Sequence, residues 1–354
     1  MNKNIALVEL GGSHSECMHL QIKALKEAGY RVFLICNASL CDDFPDKTLF
    51  DGLQTHHDTR SLKCRMKIIM ETKKFLKRNN ISTVVFNTVE ISLIRNLTVF
   101  SPCSTASYIG VVHNGRYLEN SASCRIISRK VKKFFVLSHF IKEHLNIRPG
   151  IEVGAFYPVY YPPYGEANIA PKKSDEIWII VPGAISPQKK DLDLLLNALE
   201  RNRLHPWVRI ILLGRIDAQT APQHARRIAA IAQSNNITTF SDRVRNDVFH
   251  TYMKHADLVM PLIHADNYGA FRISGAYNLA RGYKTPLLLE EEQKNCPDFE
   301  RIALFYDKSQ DAVMQINALA ENRAIIKQCK EFLRTHPDCD TQTQCRAYIE
   351  FITK

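Results

Sequence analysis

The 354-residue chain contains no apolar run that approaches the roughly 20 residues a membrane-spanning helix needs. None of its ten cysteines forms a CxxC pair or a zinc-binding spacing, so we expect free, reduced thiols and no zinc site. Internal repeats and low-complexity tracts are absent, and so is the GxGxxG of a dinucleotide-binding loop. The remaining composition, 45% hydrophobic and 23% charged, is typical of a soluble globular protein.

The amino-terminal sequence also lacks a targeting signal. The stretch "MNKNIALVEL" passes directly into a strand pattern, with no apolar signal region and no cleavage site. We therefore expect the protein to reside in the cytoplasm. The length favours two domains, because ordinary domains contain about 150 residues.

The net charge of +11 is concentrated in the first half of the chain. Residues 1–150 contain 22 Lys and Arg against 12 Asp and Glu, whereas residues 151–354 contain 25 against 24. The densest basic stretches are residues 60–80 and 125–135, and the first alternates basic residues with apolar ones at helical spacing. This pattern suits an anionic membrane surface, an acidic acceptor or a nucleic acid, and equally a solvated helix face. Nucleic acid is the least expected partner, because neither stretch has interleaved aromatic stacking platforms.

Short apolar runs alternate with helical patterns along the chain, which predicts parallel sheets covered by helices. The alternation stops in the proline-rich residues 155–176 and then restarts. We predict an α/β protein with two Rossmann-like domains, residues 1–165 and 175–335. Residues 336–354 are expected to form a C-terminal helix that packs back on the first domain.

Polar residues follow two predicted strands of the first domain. Gly12, Ser13 and His14 come after the first strand, where the glycines either form a tight turn or make room for a ligand. His113 and Asn114 follow another strand, within "VVHNGRY". Ligands of open α/β sheets collect at the carboxyl ends of the strands. A histidine there can bind a sugar hydroxyl or exchange a proton, or it can simply cap the following helix.

Cationic residues follow the strands of the second domain. Gly183 ends a strand, Lys189 and Lys190 begin the next helix, and Arg215 ends the strand "WVRIILLGR". Lysines are unfavourable at a positive helix N-terminus unless they serve an anion such as a diphosphate, although a solvated pair is equally consistent. Arginine adds a charge with the fork geometry that suits phosphate.

Two further features of the second half bear on anion and metal binding. In residues 264–289, Ser274 and the Gly275 amide at a helix start form an anion-binding device, and Arg272 and Tyr268 precede it. The cations at positions 189, 215 and 272 are expected near one sheet edge. The sequence "DLD" at 191–193 formally matches a metal-binding DxD, but at a helix start its carboxylates are expected to cap the helix.

The motifs resemble, in order and over nearly the whole chain, glycosyltransferases of the GT-B fold close to family four. "GAISPQKKDLDLLLNAL" is similar to their "G-R-L-x-P-E-K-G-x-D-x-L-L-x-A" element: Gly183, Pro187 and Lys189 match, and Ala184 replaces the arginine. "YMKHADLVMPLI" and "SGAYNLARGYKTPLLL" resemble the later donor-domain region, and "ALVELGGSHSECMHLQIKALKEAGYRVFLI" the start of the acceptor domain. The family's paired glutamates have no counterpart at 266–279, where Asp266 is the one carboxylate.

The resemblance implies two Rossmann-like domains facing a cleft and a transferase that needs no metal and no cofactor. It implies that a nucleotide-diphosphate sugar is the donor and a saccharide or lipid-linked molecule the acceptor, in cell-surface polysaccharide or glycolipid synthesis. The residues it implies for the donor are Gly12, Gly183, Lys189, Arg215, Tyr268, Arg272, Ser274 and Gly275.

His113 and His14 are then expected to be catalytic, and Ser13 and Asn114 to bind the acceptor. The basic first domain is expected to touch the inner face of an anionic membrane. A nucleotide-sugar epimerase of the same fold and a basic nucleic-acid-binding protein are the alternatives.

Overall fold

The computed structural model describes residues 3–57, 61–100, 106–264 and 271–354. The chain divides into two compact units. The first consists of Met1–Pro163, Ala270–Ile273 and Thr341–Lys354, and the second of Tyr164–Gly269 and Ser274–Asp340. Each unit is built on its own sheet. The described part contains nine cysteines, all of them free thiols.

The first unit contains a seven-stranded parallel sheet in the order β3-β2-β1-β4-β5-β6-β7. Its strands are β1 Asn4–Glu9, β2 Arg31–Asn37, β3 Gly52–His56, β4 Thr83–Phe86, β5 Ser107–Val112, β6 Val131–Val136 and β7 Glu152–Ala155. The central strands are apolar at nearly every position because helices cover both faces. In β1, Leu7 packs into the cluster on one face and Val8 into the cluster on the other, and both are fully buried.

The second unit contains a six-stranded parallel sheet in the order β10-β9-β8-β11-β12-β13. Its strands are β8 Ile177–Pro182, β9 Val208–Arg215, β10 Ile237–Phe240, β11 Leu258–Val259, β12 Leu287–Glu290 and β13 Ala303–Tyr306. The two parallel sheets confirm the predicted α/β class with two Rossmann-like folds.

Helices connect the strands of both units. The α-helices among the described residues are α1 Ser15–Glu27, α2 Leu62–Arg78, α3 Ser92–Phe100, α4 Arg116–Asn120, α5 Ala122–Ile127, α6 His139–His144, α7 Leu192–Arg201, α8 Pro222–Ser234, α9 Asn246–His255, α10 Gly275–Gly282, α11 Ala312–Glu321, α12 Arg323–Thr335 and α13 Thr341–Thr353. Short 3₁₀ helices occupy Ala38–Asp43, Lys47–Leu49, Glu291–Gln293, Pro297–Phe299 and Pro337–Cys339. In the described part of the chain, no helix combines the length and the apolar character that crossing a bilayer requires.

The C-terminal helix α13 belongs to the first unit and packs against α1. Its Tyr348 is fully buried, stacks on Phe135 with ring centroids 4.8 Å apart, and donates a hydrogen bond to Gln21. The last fourteen residues therefore complete the core of the unit that begins the chain.

A buried histidine of α1 makes the stability depend on pH. His19 is 6% exposed and packs against Phe44. Burial lowers the pKa of His19 from 6.5 to about 4, since the charged imidazole loses its hydration. Between these two pH values the unfolded chain binds the proton and the folded one does not. The free energy of unfolding therefore falls as the pH falls, by about 2 kcal/mol at pH 5 from this group.

We expect the variant His19→Gln to lose about that much of the acid sensitivity. Urea unfolding at pH 7 and pH 5 measures the difference, and His144→Gln on the exposed end of α6 controls for loss of a histidine. Identical pH dependence in the wild type and His19→Gln would contradict the assignment.

Candidate functional site

The order of strands in the first sheet reverses between β1 and β4, the place where ligands bind in open α/β sheets. Glu9 ends β1 and is almost fully buried there. Its carboxylate accepts hydrogen bonds from Asn87 Nδ2 at 2.8 Å and Thr88 Oγ1 at 2.6 Å, both just after β4. The backbone N–H of Gly11 donates to the same carboxylate at 2.7 Å. Burial raises the pKa of Glu9, and these donors partly offset the rise.

The two glycines after β1 have different steric surroundings. A Cβ at Gly11 would lie 2.9 Å from Glu9 Oε1 and 2.9 Å from Ile91 Cδ1, so a side chain there would displace the ends of these two side chains. A Cβ at Gly12 would meet only Ser39 Oγ, at 3.5 Å. Gly12 and the following Ser13 are exposed, and sterics leave Gly12 unconstrained.

His14 is the N-cap of α1 and has a left-handed backbone, with φ of 70°. This conformation costs a non-glycine residue about 1 kcal/mol or more and persists where the surroundings hold it. Asn87 Nδ2 donates to the His14 carbonyl at 2.9 Å, and the His14 ring stacks on the His113 ring with centroids 3.8 Å apart. His14 Nδ1 lies 3.3 Å from Glu16 Oε1, which orients the imidazole with Nε2 on the other side.

The environment of His14 suits proton exchange near neutral pH. Burial alone would lower the pKa of His14. The hydrogen bond to Glu16 and the negative charges of Glu16 and Glu9 outweigh burial and raise the pKa above 6.5. His14 therefore has the carboxylate–imidazole arrangement of a general base.

His113 has the opposite electrostatic environment. Its Nε2 lies 2.8 Å from the carbonyl oxygen of Asn87, which can only accept, so Nε2 carries the proton and Nδ1 keeps a lone pair. Burial, followed by the charge of His14, lowers the pKa of His113 from 6.5 to about 3. His113 is thus a neutral ring that supports His14. The sequence analysis placed both histidines at this edge and expected the same catalytic role for each.

Glu90 is a residue of this site that the sequence analysis missed. Its Oε1 accepts hydrogen bonds from the backbone N–H of His113 at 2.6 Å and of Asn114 at 2.9 Å. Burial raises the pKa of Glu90. The sequence does contain a signal for this residue. Glu9 ends an apolar strand and Glu90 follows another, and ligands of parallel sheets bind at those ends.

Arg272 belongs to the first unit and contacts the backbone that follows β5. Asn114 and Arg272 form an isolated antiparallel bridge, and Gly115 donates a backbone hydrogen bond to the Phe271 carbonyl at 2.7 Å. The Arg116 guanidinium lies over the Phe271 ring, 5.0 Å from its centroid. The exposed Arg272 therefore belongs to the same unit as His113, and its positive charge further lowers the pKa of His113. Lys189 and Arg215 belong to the second unit.

The second sheet reverses its strand order between β8 and β11. Gly183 follows β8 with a φ of +87°, which favours glycine. A Cβ on Gly214 would lie 2.0 Å from the Gly183 carbonyl oxygen. The two backbones are therefore so close that no side chain fits at position 214. Ile185 donates a backbone hydrogen bond to the Arg215 carbonyl at 3.0 Å, which places the exposed Arg215 beside the loop after β8.

This close approach predicts a large cost for any side chain at position 214. We expect Gly214→Ala to lower the free energy of unfolding by about 3 kcal/mol or more, because the obstructing atom is backbone and cannot turn away. Gly165→Ala is the matched control, since a Cβ there meets nothing within 4 Å. Chemical denaturation measures both, and equal stabilities would contradict the packing described here.

The adjacent lysines after β8 differ in what they can reach. Lys190 is 5% exposed and its Nζ donates to the Pro261 carbonyl at 2.8 Å, after β11. Burial lowers the pKa of Lys190 from 10.5 to about 7. His264 Nε2 lies 2.9 Å from the Pro187 carbonyl and connects the same loop to the segment that follows β11. Lys189 is exposed, so it is the lysine that an anionic ligand can contact.

The DxD-like sequence has a structural role. Asp191 caps α7 by accepting from the Leu194 N–H, and Asp193 pairs with Arg227 at 2.6 Å. Among residues 3–57, 61–100, 106–264 and 271–354, no group of three His, Cys, Asp or Glu side chains is placed to hold a metal ion.

Helix α10 begins as the sequence predicted. Ser274 is its N-cap, is 8% exposed and accepts a hydrogen bond from the Ala276 N–H at 3.3 Å. Gly275 is the first helical residue and is exposed, whereas the backbone N–H groups of Ala276 and Tyr277 donate to the side chain and the carbonyl of Ser274. The predicted Tyr268 and the Asp266 carboxylate lie outside the described residues.

No protein-family model and no curated protein matches the sequence. A solved glycosyltransferase from Rickettsia africae ESF-5 matches 100% of this chain and 99% of its own, with 14% identity and a TM-score of 0.63. HepE from Anabaena in complex with UDP and glucose matches 99% of both chains, with 13% identity and a TM-score of 0.67. A Listeria monocytogenes protein assigned as a UDP-N-acetylglucosamine 2-epimerase matches 94% of this chain and 91% of its own, with 12% identity and a TM-score of 0.64.

At these identities the likeness establishes the fold. The chain has the GT-B fold, as the resemblance of its motifs implied, and the match extends over its full length.

Proposed function

We propose that the protein is a glycosyltransferase that moves a sugar from a nucleotide-diphosphate sugar to a saccharide or lipid-linked acceptor. The observation that carries the proposal is the carboxyl edge of the second sheet. There Gly183 leaves open space beside the exposed Lys189 and Arg215, and α10 begins at the exposed Gly275. HepE, which shares the fold, was solved with UDP and glucose.

The second unit would bind the donor. A diphosphate carries two negative charges that grow as the sugar departs, and cations held in place stabilise that charge best. Arg215 would offer a bidentate fork, Lys189 a point charge and the start of α10 the backbone N–H of Gly275. We propose that these groups compensate the diphosphate charge without a cofactor beyond the donor itself.

The first unit would bind the acceptor and remove its proton. In the proposed step the acceptor oxygen forms a bond to the anomeric carbon while the bond from that carbon to the diphosphate oxygen breaks. The acceptor proton passes to Nε2 of His14, whose Nδ1 faces Glu16. His113 positions the His14 ring by stacking, and Ser13 and Asn114, both exposed beside the histidines, would bind acceptor hydroxyls.

The likeness to the Listeria protein makes a nucleotide-sugar epimerase the second candidate. The two activities differ in what they consume. An epimerase converts the donor without any acceptor, whereas a transferase leaves an intact donor largely unchanged until an acceptor is added.

A thermal-shift panel of UDP-, GDP- and ADP-sugars tests donor binding first. A ligand that binds only the native state at 100 times its Kd stabilises it by about 2.7 kcal/mol and raises the melting temperature. Proton NMR of the stabilising donor then separates the candidates: new sugar-ring signals without an acceptor identify an epimerase. No stabilisation by any member of the panel would contradict both candidates.

A further inference from the structure

A cavity of about 260 Å³ lies at the amino edge of the second sheet, opposite to the edge of the proposed donor site. Its lining includes Ile177, where β8 begins, and Asp257, which precedes β11. Helix α12 contributes one stripe of four side chains, Arg323, Ile326, Lys327 and Lys330. We call this cavity the amino-edge pocket. Because β8 has six residues, the pocket lies about 20 Å from the loop at Gly183.

Two lysines of the amino-edge pocket share a single carboxylate. Asp257 pairs with Lys172 and, at 2.9 Å, with Lys330. It also accepts a hydrogen bond from the backbone N–H of Trp178 at 2.9 Å. Burial alone would raise the pKa of Asp257, but the two ammonium groups outweigh burial and lower it. One negative charge therefore faces two positive charges, and both lysines are partly buried, so solvent screens the excess incompletely.

Two further cations of the pocket have no carboxylate partner. Arg323 donates to the backbone carbonyls of Asp175, at 2.6 Å, and Ala320, at 3.2 Å. Its guanidinium also lies over the Trp207 ring, 5.2 Å from the centroid. These contacts orient the guanidinium without neutralising its charge. Lys327 is exposed, and within the part of the chain that the structure describes no carboxylate pairs with it or with Arg323.

The other carboxylate of the pocket is already neutralised. Glu176 Oε1 accepts a hydrogen bond from Arg209 Nε at 2.9 Å, and Glu176 Oε2 accepts one from the indole N–H of Trp178 at 2.9 Å. The start of α12 adds positive potential, since its first turn has no acidic residue and the side chain of its N-cap, Asn322, makes no capping bond. Basic residues at a helix start are unfavourable unless an anion lies there.

The charge and the volume of the pocket indicate what it binds. Lys172, Lys330, Arg323 and Lys327 face the single charge of Asp257, which leaves an excess of three positive charges. The cavity is smaller than the pockets of drug-sized ligands, which occupy about 300 Å³ or more. A phosphate group carries close to two negative charges and three acceptor oxygens on one centre, whereas a carboxylate carries one charge. Phosphate groups therefore supply the most negative charge in this volume.

We propose that the amino-edge pocket binds a small anion that carries phosphate groups. Arg323 and Lys327 contact the phosphate oxygens, and Lys172 and Lys330 supply the positive potential around Asp257. The ligand is either free inorganic phosphate or diphosphate, or a small phosphorylated metabolite, because these share the same phosphate chemistry. The inference stands independently of the proposed sugar transfer, since the pocket shares no residue with the proposed donor site.

Calorimetric titration of the full chain tests the proposal. The variant Lys189→Ala/Arg215→Ala serves as the background, because it removes the cations of the proposed donor site and leaves the pocket intact. We expect it to bind inorganic pyrophosphate or fructose 1,6-bisphosphate at one site with a Kd of about 1 mM or lower. The tighter of the two ligands identifies the inorganic or the metabolite source. Citrate, a carboxylate anion of similar size, should bind about tenfold more weakly or less.

Substitutions on α12 identify the pocket as the site. In the same background, Arg323→Gln should weaken binding by about 10- to 100-fold and Lys327→Gln by about 3- to 10-fold. Arg334→Gln, at the exposed last turn of α12, and Lys294→Gln, at another exposed lysine of the second unit, are the matched controls. Both controls should keep the affinity of the background, and circular dichroism checks that every variant is folded.

Hydrogen–deuterium exchange of the wild type locates the bound anion. We expect saturating pyrophosphate to slow exchange in residues 172–177 and 323–330. Failure of both phosphate ligands to bind, equal affinity for citrate, or equal loss in the control variants overturns the proposal. Protection confined to residues 183–190 also overturns it, because the anion would then bind at the donor edge alone.

Discussion

Replacement of His14 by asparagine is expected to lower the turnover of sugar transfer by about 10²- to 10⁴-fold, the range that a positioned general base contributes. Asparagine tolerates the left-handed backbone that His14 adopts, so the loop should keep its conformation. The donor binds at the other unit in the proposed scheme, and its Kd should stay unchanged. Steady-state kinetics and calorimetric titration of the donor measure the two quantities.

The pH profile distinguishes a general base from a purely structural residue. A base must be neutral to accept the acceptor proton, so kcat/KM should rise with pH through the pKa of His14, which lies above 6.5. This limb should disappear in His14→Asn. His113→Phe keeps a stacking ring in place of the neutral imidazole and should retain the pH limb with a smaller loss of turnover. Wild-type turnover in His14→Asn would contradict the role given to this residue.

Replacement of Arg215 by alanine is expected to weaken binding of the donor by about 10- to 100-fold, since a charge-assisted hydrogen bond contributes about 1.5–3 kcal/mol. Arg215→Lys should recover part of this loss, because lysine keeps the charge and loses the bidentate fork. Lys189→Ala should show a smaller effect of the same kind. Calorimetric titration of the free nucleoside diphosphate and of the nucleotide sugar measures the change.

Arg226 provides the matched control for the arginine substitutions. It is exposed on α8 of the same unit and outside the strand ends. Arg226→Ala should bind the donor with wild-type affinity. Equal affinity in Arg215→Ala and Arg226→Ala would contradict the placement of the diphosphate at the end of β9.

The sequence predicted the strands, helices and helix caps, because these depend on residues close together in the chain. Apolar strands followed by helical patterns gave both sheets, and Ser274 and Asp191 cap the helices that their sequences indicated. The adjacent lysines show what the local sequence does not predict. Positions 189 and 190 carry the same residue type, but only the fold reveals that Lys190 is buried against Pro261.

Contacts between distant parts of the chain explain the rest. Glu9 and Asn87 meet across 78 positions, and their hydrogen bonds organise the loop that carries His14. The bridge from Arg272 to Asn114 groups that arginine with the first unit, and no motif indicated this pairing. The opposite pKa shifts of His14 and His113 arise from Glu16 and from burial, neither of which is apparent in the motifs.

In the proposed scheme a nucleoside diphosphate binds at the carboxyl edge of the second sheet. Hydrogen–deuterium exchange with and without saturating UDP tests it directly. We expect slower exchange in the loop of residues 183–190 and in the first turn of α10, residues 275–278, with α11 unchanged. Protection that spares both segments, or that is confined to the first unit, would contradict binding at this edge.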